Sequence, residues 1–225
     1  MKKTSLGVLV LCFLASGALV VRAEDSAPAE RIPPDQVLLD AINRTLDIVR
    51  LPDYKAPEKR AEYRAQVREI LMTMIDMRTV SMLVLADKKK AFTDAQFDEF
   101  VDSFTRILFL SYVGHLDDYT DQQVQVDSVE EIKDSKVPRV RLKTQTTSRA
   151  KGTKTPVEYS MTLTDNKWAA YDVRIEGLSF VSNYRSQFRE ILTSRKPDQL
   201  LKTMKEKADK LEKDNVQIKV DEKIF

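Results

Sequence analysis

The chain of 225 residues contains a single cysteine, Cys12, and a single histidine, His115. It also has one tryptophan and five glycines. One histidine and one cysteine exclude a zinc site built from those ligands. Cys12 lies inside an apolar N-terminal segment, so a cysteine nucleophile elsewhere is excluded too. So few glycines leave no Gly-rich phosphate loop, and no G-x-S-x-G occurs. Internal repeats and low-complexity segments are absent, as is any later apolar run approaching the roughly 20 residues of a membrane span. Charge of one sign is missing as well. The formal excess of 37 bases over 35 acids is small and resides at the N-terminus.

That N-terminus reads as a secretory leader. Met1-Lys2-Lys3 precedes an apolar run from Leu6 to Val21, and Val21-Arg22-Ala23 presents a peptidase site, giving cleavage after about Ala23. Ala18 is a second candidate, and a retained anchor is the alternative reading. Leu11 before Cys12 is not the small residue of a lipoprotein signal. Cleavage would remove Lys2, Lys3 and Arg22 and leave 34 bases against 35 acids. A near-neutral exported chain without cysteine gives no support to nucleic-acid binding and must be held by its core. The expected organisation is a leader over 1–23, one domain over 24–213 and a charged tail over 214–225.

Hydrophobic spacing predicts helices first. Val37, Leu38, Ala41, Ile42 and Val49 form a stripe over 35–50. A second helix from Glu58 presents Val67, Ile70, Leu71 and Met74, and Asp76 caps a third through Val80, Leu83 and Val84. Thr93 with Gln96 is a capping-box signature for a fourth, running towards Tyr119. The period then changes from 3.6 to 2. Val140, Leu142, Thr144 and Thr146 alternate with Arg139, Arg141, Lys143 and Gln145. Val157, Tyr159, Met161 and Leu163 alternate with polar residues, and Tyr171, Val173 and Ile175 oppose Trp168, Ala170, Asp172 and Arg174. With a weaker strand near Val124–Val129, this predicts a four-stranded antiparallel sheet. Asp165-Asn166 marks a tight hairpin and Gly152 a looser turn. Helices return over 179–192 and from Pro197 to about Lys213. The expected fold is a single α+β domain with helices packed on one sheet face around an apolar cavity.

The fourth helix is apolar on more than one face, and five of nine Phe fall between Phe92 and Phe109. Four of seven Met lie between Met72 and Met82, where thioethers adapt to irregular contents. The candidate lining of a lipid cavity is Val84, Phe100, Phe104, Leu108, Tyr112, Val140, Leu142, Tyr159, Met161, Leu163, Tyr171 and Val173. The same residues also suit an ordinary core, since periodicity does not separate a filled core from a lined pocket. Tyr184-Arg185 is placed to reach Asp172 or Glu176 and hold helix to sheet. The strand bases Arg139, Arg141 and Lys143 form either a solvated face or a docking surface.

Trp168, Tyr171, Asp172, Glu176, Gly177 and Ser179, followed by Tyr184, Arg185, Phe188, Ile191, Leu200 and Leu201, form a pattern that resembles the MlaC family of periplasmic phospholipid carriers. Leu110-Ser111-Tyr112 with Leu116 and Tyr119 resembles the end of that family's long helix. Lys196-Pro197 departs from it, where a glycine would be expected. The resemblance implies a periplasmic, monomeric carrier without catalytic residue, cofactor or metal. Its ligand would be a phospholipid with acyl tails in the cavity and headgroup largely in solvent. Its partners would be an inner-membrane ABC-type lipid transport complex and an outer-membrane lipoprotein–porin complex, and its role the maintenance of outer-membrane lipid asymmetry. Two alternatives share such a cleft. One is a small-molecule enzyme of the half-open α+β type, using His115 or the Asp172 and Glu176 carboxylates. The other is a periplasmic chaperone that takes peptides.

Overall fold

Helix starts are set by local chemistry in the computed structural model, which describes residues 31–113 and 120–221, with side chains to 214. Helices α1 (Pro34–Val49) and α2 (Pro57–Met74) begin on prolines, whose fixed φ and missing N–H suit a first turn. Asp76 accepts the Thr79 N–H at 2.9 Å to cap α3 (Met77–Leu85). A 3₁₀ segment, Ala86–Ala91, leads to α4 (Asp94–Tyr112). Its capping box is complete, with Thr93 N–H on Gln96 Oε1 at 2.9 Å and Gln96 N–H on Thr93 Oγ1 at 3.2 Å. The expected continuation of α4 towards Tyr119 lies outside the described residues, as do His115, Leu116 and the whole N-terminal leader.

Five strands follow, one more than expected: β1 (Gln122–Glu131), β2 (Arg139–Ser148), β3 (Lys154–Thr164), β4 (Lys167–Ile175) and β5 (Leu178–Ser179). They pair antiparallel in chain order. The extra strand has two residues, too short to show any alternation. It exists because Glu176 and Gly177 both adopt positive φ, 50° and 83°, and turn the chain back at once. Asp165 and Asn166, at 50° and 63°, make the equivalent turn between β3 and β4. Helices α5 (Phe180–Ser194) and α6 (Pro197–Asp221) complete the chain. The α5–α6 junction needs no glycine, because Arg195 is extended and Lys196 N–H bonds Gln199 Oε1 at 3.0 Å. Helix α6 continues past Lys213 into the segment expected as a tail.

One irregularity reorders the sheet's faces. Tyr159 pairs with Val173 but Met161 pairs with Ala170, so Tyr171 is the extra residue of a bulge. The row continuing Tyr159, Met161 and Leu163 onto β4 is therefore Val173, Ala170 and Trp168. Strict alternation assigns Ala170 and Trp168 to the opposite row. Beyond the bulge, the free edge of β4 is occupied by the α2–α3 junction. Ile75 forms a parallel bridge with Ala170, and Asp76 N–H donates to the Ala170 carbonyl at 2.9 Å.

Two principal cores result. Helices α1 and α2 lay Leu38, Ala41, Ile70 and Met74 on Val140, Leu142, Met161 and Ala170. Helices α3 to α6 surround Phe100 and Phe104, both almost fully buried, with Phe188 set edge-on to them at 5.1 and 5.4 Å. Arg106 joins α4 to α6 through Asp209 and Glu212 at 3.1 and 2.8 Å. Tyr171, freed from the ladder by the bulge, packs against this second core.

Candidate functional site

Helix α4 carries two apolar stripes. Phe97, Phe100, Phe104 and Ile107 form one, which is buried. Thr105, Leu108, Phe109 and Tyr112, spaced i, i+3, i+4, i+7, form the other. This second stripe walls a pocket of ≈ 180 Å³. Leu71, Met72 and Ile75 close it from the α2 end, Met77 and Val80 from α3, Ala170 to Val173 from β4, and Phe180 from α5.

The Thr105 hydroxyl and the Asp172 carboxylate in this wall are engaged within the protein. The Thr105 hydroxyl donates to the Val101 carbonyl at 2.7 Å. Asp172 accepts the Ser179 hydroxyl at 2.7 Å and the Val181 N–H at 2.9 Å. What faces the pocket is carbon, together with the rings of Tyr112 and Tyr171. Tyr184 stands behind Tyr112, and burial followed by a hydrogen bond with Tyr112 pushes its phenol well above the ordinary range.

A pocket of ≈ 180 Å³ is smaller than the roughly 300–1,000 Å³ usual for small-molecule sites. A wider groove of ≈ 920 Å³ adjoins it and shares Tyr112, Val173 and Phe180 with its lining. Ile175, Leu178, Ser182, Asn183 and Ser186 border the groove farther out. An elongated apolar ligand thus has a narrow apolar end and a wider run leading from it.

Of the residues expected to line a cavity, Leu108, Tyr112, Tyr171 and Val173 come together here. Val84, Phe100 and Phe104 lie in the α3–α6 core. Val140, Leu142 and Met161 lie in the α1–α2 core with Tyr159 against them. Leu163 is buried where β3 pairs with Trp168. The remaining wall was partly signalled: Met72 and Met77 belong to the Met-rich stretch, and Phe109 to the second stripe of α4. Ala170 and Thr105 gave no signal, being small or polar residues that leave room.

Other expected contacts take different partners. Arg185 reaches neither Asp172 nor Glu176; its Nε donates to the Leu83 carbonyl at 2.8 Å and ties α5 to α3. Asp172 already accepts a hydrogen bond on each oxygen from the start of α5. The strand bases are engaged within the sheet. Arg139 lies over the Tyr171 ring at 4.9 Å, Arg141 meets Glu158 at 3.7 Å beside Arg174 at 3.6 Å, and Lys143 meets Glu130 at 2.6 Å. Among the described residues no cluster of three His, Cys, Asp or Glu is arranged to hold a metal ion. No described helix is long and apolar enough to cross a membrane.

A pocket with this lining suits an apolar ligand. The family model for the MlaC protein matches residues 39–206, and the chain belongs to the MlaC family. Its fold is similar to that of a phospholipid-binding protein from Ralstonia solanacearum, solved in complex with a phospholipid. The TM-score is 0.68 at 18% identity, over 80% of this chain and 99% of that one. No curated protein matches the sequence.

Proposed function

We propose that this protein binds phospholipid, with acyl-chain carbons in the pocket between α2, α4 and β4. The observation that carries this reading is a largely apolar wall in which the Thr105 hydroxyl and the Asp172 carboxylate are engaged within the protein, leaving apolar contact as the binding force. Each buried methylene contributes about 0.8 kcal/mol, so even part of one chain supplies useful affinity. Membership of the MlaC family and the bound phospholipid in the Ralstonia solanacearum protein support the same ligand.

On this reading the protein is a carrier and not an enzyme. It is exported to the periplasm as a monomer after cleavage near Ala23. There it passes lipid between an inner-membrane ABC-type complex and an outer-membrane lipoprotein–porin complex, and so sustains outer-membrane lipid asymmetry. The commitment of Asp172 to capping α5 argues against its use as a general acid or base.

The test is native mass spectrometry on protein expressed with its leader and purified without detergent. A mass excess that extracts as diacyl phospholipid is expected. A folded protein of bare polypeptide mass that takes up no lipid from vesicles would contradict the proposal. Capture of extended peptides in place of lipid would favour the chaperone reading, which draws on the polar border of the wider groove.

A further inference from the structure

Leu178 is 79% exposed, the most exposed large hydrophobic side chain among the described residues. It pairs directly across the β4–β5 turn with Ile175, itself 52% exposed. Paired residues of an antiparallel ladder lie side by side on one face, so the two form a single apolar step. Val173 lies two residues before Ile175 on that same face and belongs to the lining of both the pocket and the groove. The sequence Val173, Ile175, Leu178 is therefore a continuous apolar track from the narrow pocket to the tip of the hairpin.

The tip is a two-residue turn that carries one charge. Glu176 and Gly177 hold the two positive-φ positions of the turn, and Glu176 N–H is fixed to the Pro156 carbonyl at 3.2 Å. Among the described residues no base approaches the Glu176 carboxylate, while Arg174 next to it is engaged by Glu158. Tyr112, 53% exposed, stands at the same mouth. Aliphatic tips beside an amphipathic tyrosine suit the boundary between headgroups and acyl chains. A lone carboxylate disfavours an anionic surface and suits one whose outermost charges are ammonium groups.

We propose, building on the phospholipid-binding reading, that the β4–β5 hairpin touches a bilayer of zwitterionic lipid directly. Ile175 and Leu178 enter the interface, Glu176 meets headgroup ammonium, and an acyl chain passes along Val173 into the pocket without crossing water. Two aliphatic side chains make a shallow, reversible contact, as a carrier that must leave again requires.

The test uses the protein expressed with its leader and recovered after export, with protein-free vesicles of phosphatidylcholine and phosphatidylethanolamine. An environment-sensitive fluorophore on Leu178→Cys, in a Cys12→Ser background, should shift to the blue on these vesicles. The shift should weaken when phosphatidylglycerol replaces phosphatidylcholine, and Glu176→Lys should reverse that order. Leu178→Glu should slow lipid transfer between the vesicles about tenfold, the loss expected from removing one apolar contact. It should leave the melting transition unchanged, because the side chain is exposed. No blue shift, with Leu178→Glu transferring at the wild-type rate, would overturn the proposal while leaving the pocket reading intact. An effect of Leu178→Glu that arises only when protein is present in the acceptor membrane would overturn it in favour of a protein-docking tip. Absence of bound lipid from the wild type would instead strike the pocket reading.

Discussion

Asp172 on β4 accepts the backbone N–H of Val181 on α5 at 2.9 Å, so the strand that walls the pocket also fixes the first turn of the helix beside it. Phe180 sits between these two residues and lines the pocket. Replacing Asp172 by alanine removes a charge-assisted cap and leaves the Ser179 hydroxyl without its acceptor. The expected loss is about 2 kcal/mol of stability, with lipid retention reduced because Phe180 is no longer held. Urea unfolding of the Asp172→Ala variant measures it, and an unchanged midpoint would remove this contact from the account.

The two stripes of α4 separate core from pocket. Phe100→Ala empties a site packed on all sides and should cost about 3–5 kcal/mol. Leu108→Trp places bulk in the pocket, where there is room, and should abolish lipid retention while shifting the melting temperature little. Equal loss of stability in both variants would show that Leu108 belongs to the packed core.

Much of this fold is legible in the sequence because its signals are local. The caps at Asp76 and Thr93, Pro197 at the start of α6 and the Asp165-Asn166 turn each determine a boundary within four residues of chain. The bulge at Tyr171 is not legible, since it is decided by which residue of β3 faces which of β4. Without it, Ala170 and Trp168 fall on the wrong row. The pocket is harder still. Leu108 and Phe104 look alike in sequence, and only the meeting of α2, α4 and β4 separates a wall from a core. Ala170 and Thr105 matter through the volume they leave empty, which composition does not record.

Ala86 closes α3 with φ 49° and ψ −122°, a conformation that strains any residue with a Cβ. Strain of this kind costs about 1–3 kcal/mol, more than the roughly 0.5–1 kcal/mol of extra chain entropy a glycine loses on folding. Ala86→Gly should therefore raise stability by about 1 kcal/mol. Thermal unfolding decides it, and a destabilised variant would show that the methyl group makes packing contacts that outweigh the strain.

Burial against the α1–α2 core pushes the Tyr159 phenol up to about 12. A raised folded-state value favours the neutral phenol in the native protein. Its stabilisation is thus complete below the ordinary tyrosine value of about 10 and is lost as pH rises towards the folded value. Wild type should lose up to about 2 kcal/mol across that window, and Tyr159→Phe should lose distinctly less. Parallel alkaline unfolding curves for the two proteins would exclude this linkage.

The most direct test of the central claim is photocrosslinking with a phospholipid that carries a diazirine along one acyl chain, followed by peptide mapping. Adducts are predicted on the segments that line the pocket: 71–80 through α2 and α3, 105–113 on α4, and 170–173 with Phe180. Labelling confined to α1, β1 or the exposed face of α6, with these segments unmodified, would contradict the assignment of the pocket as the lipid site.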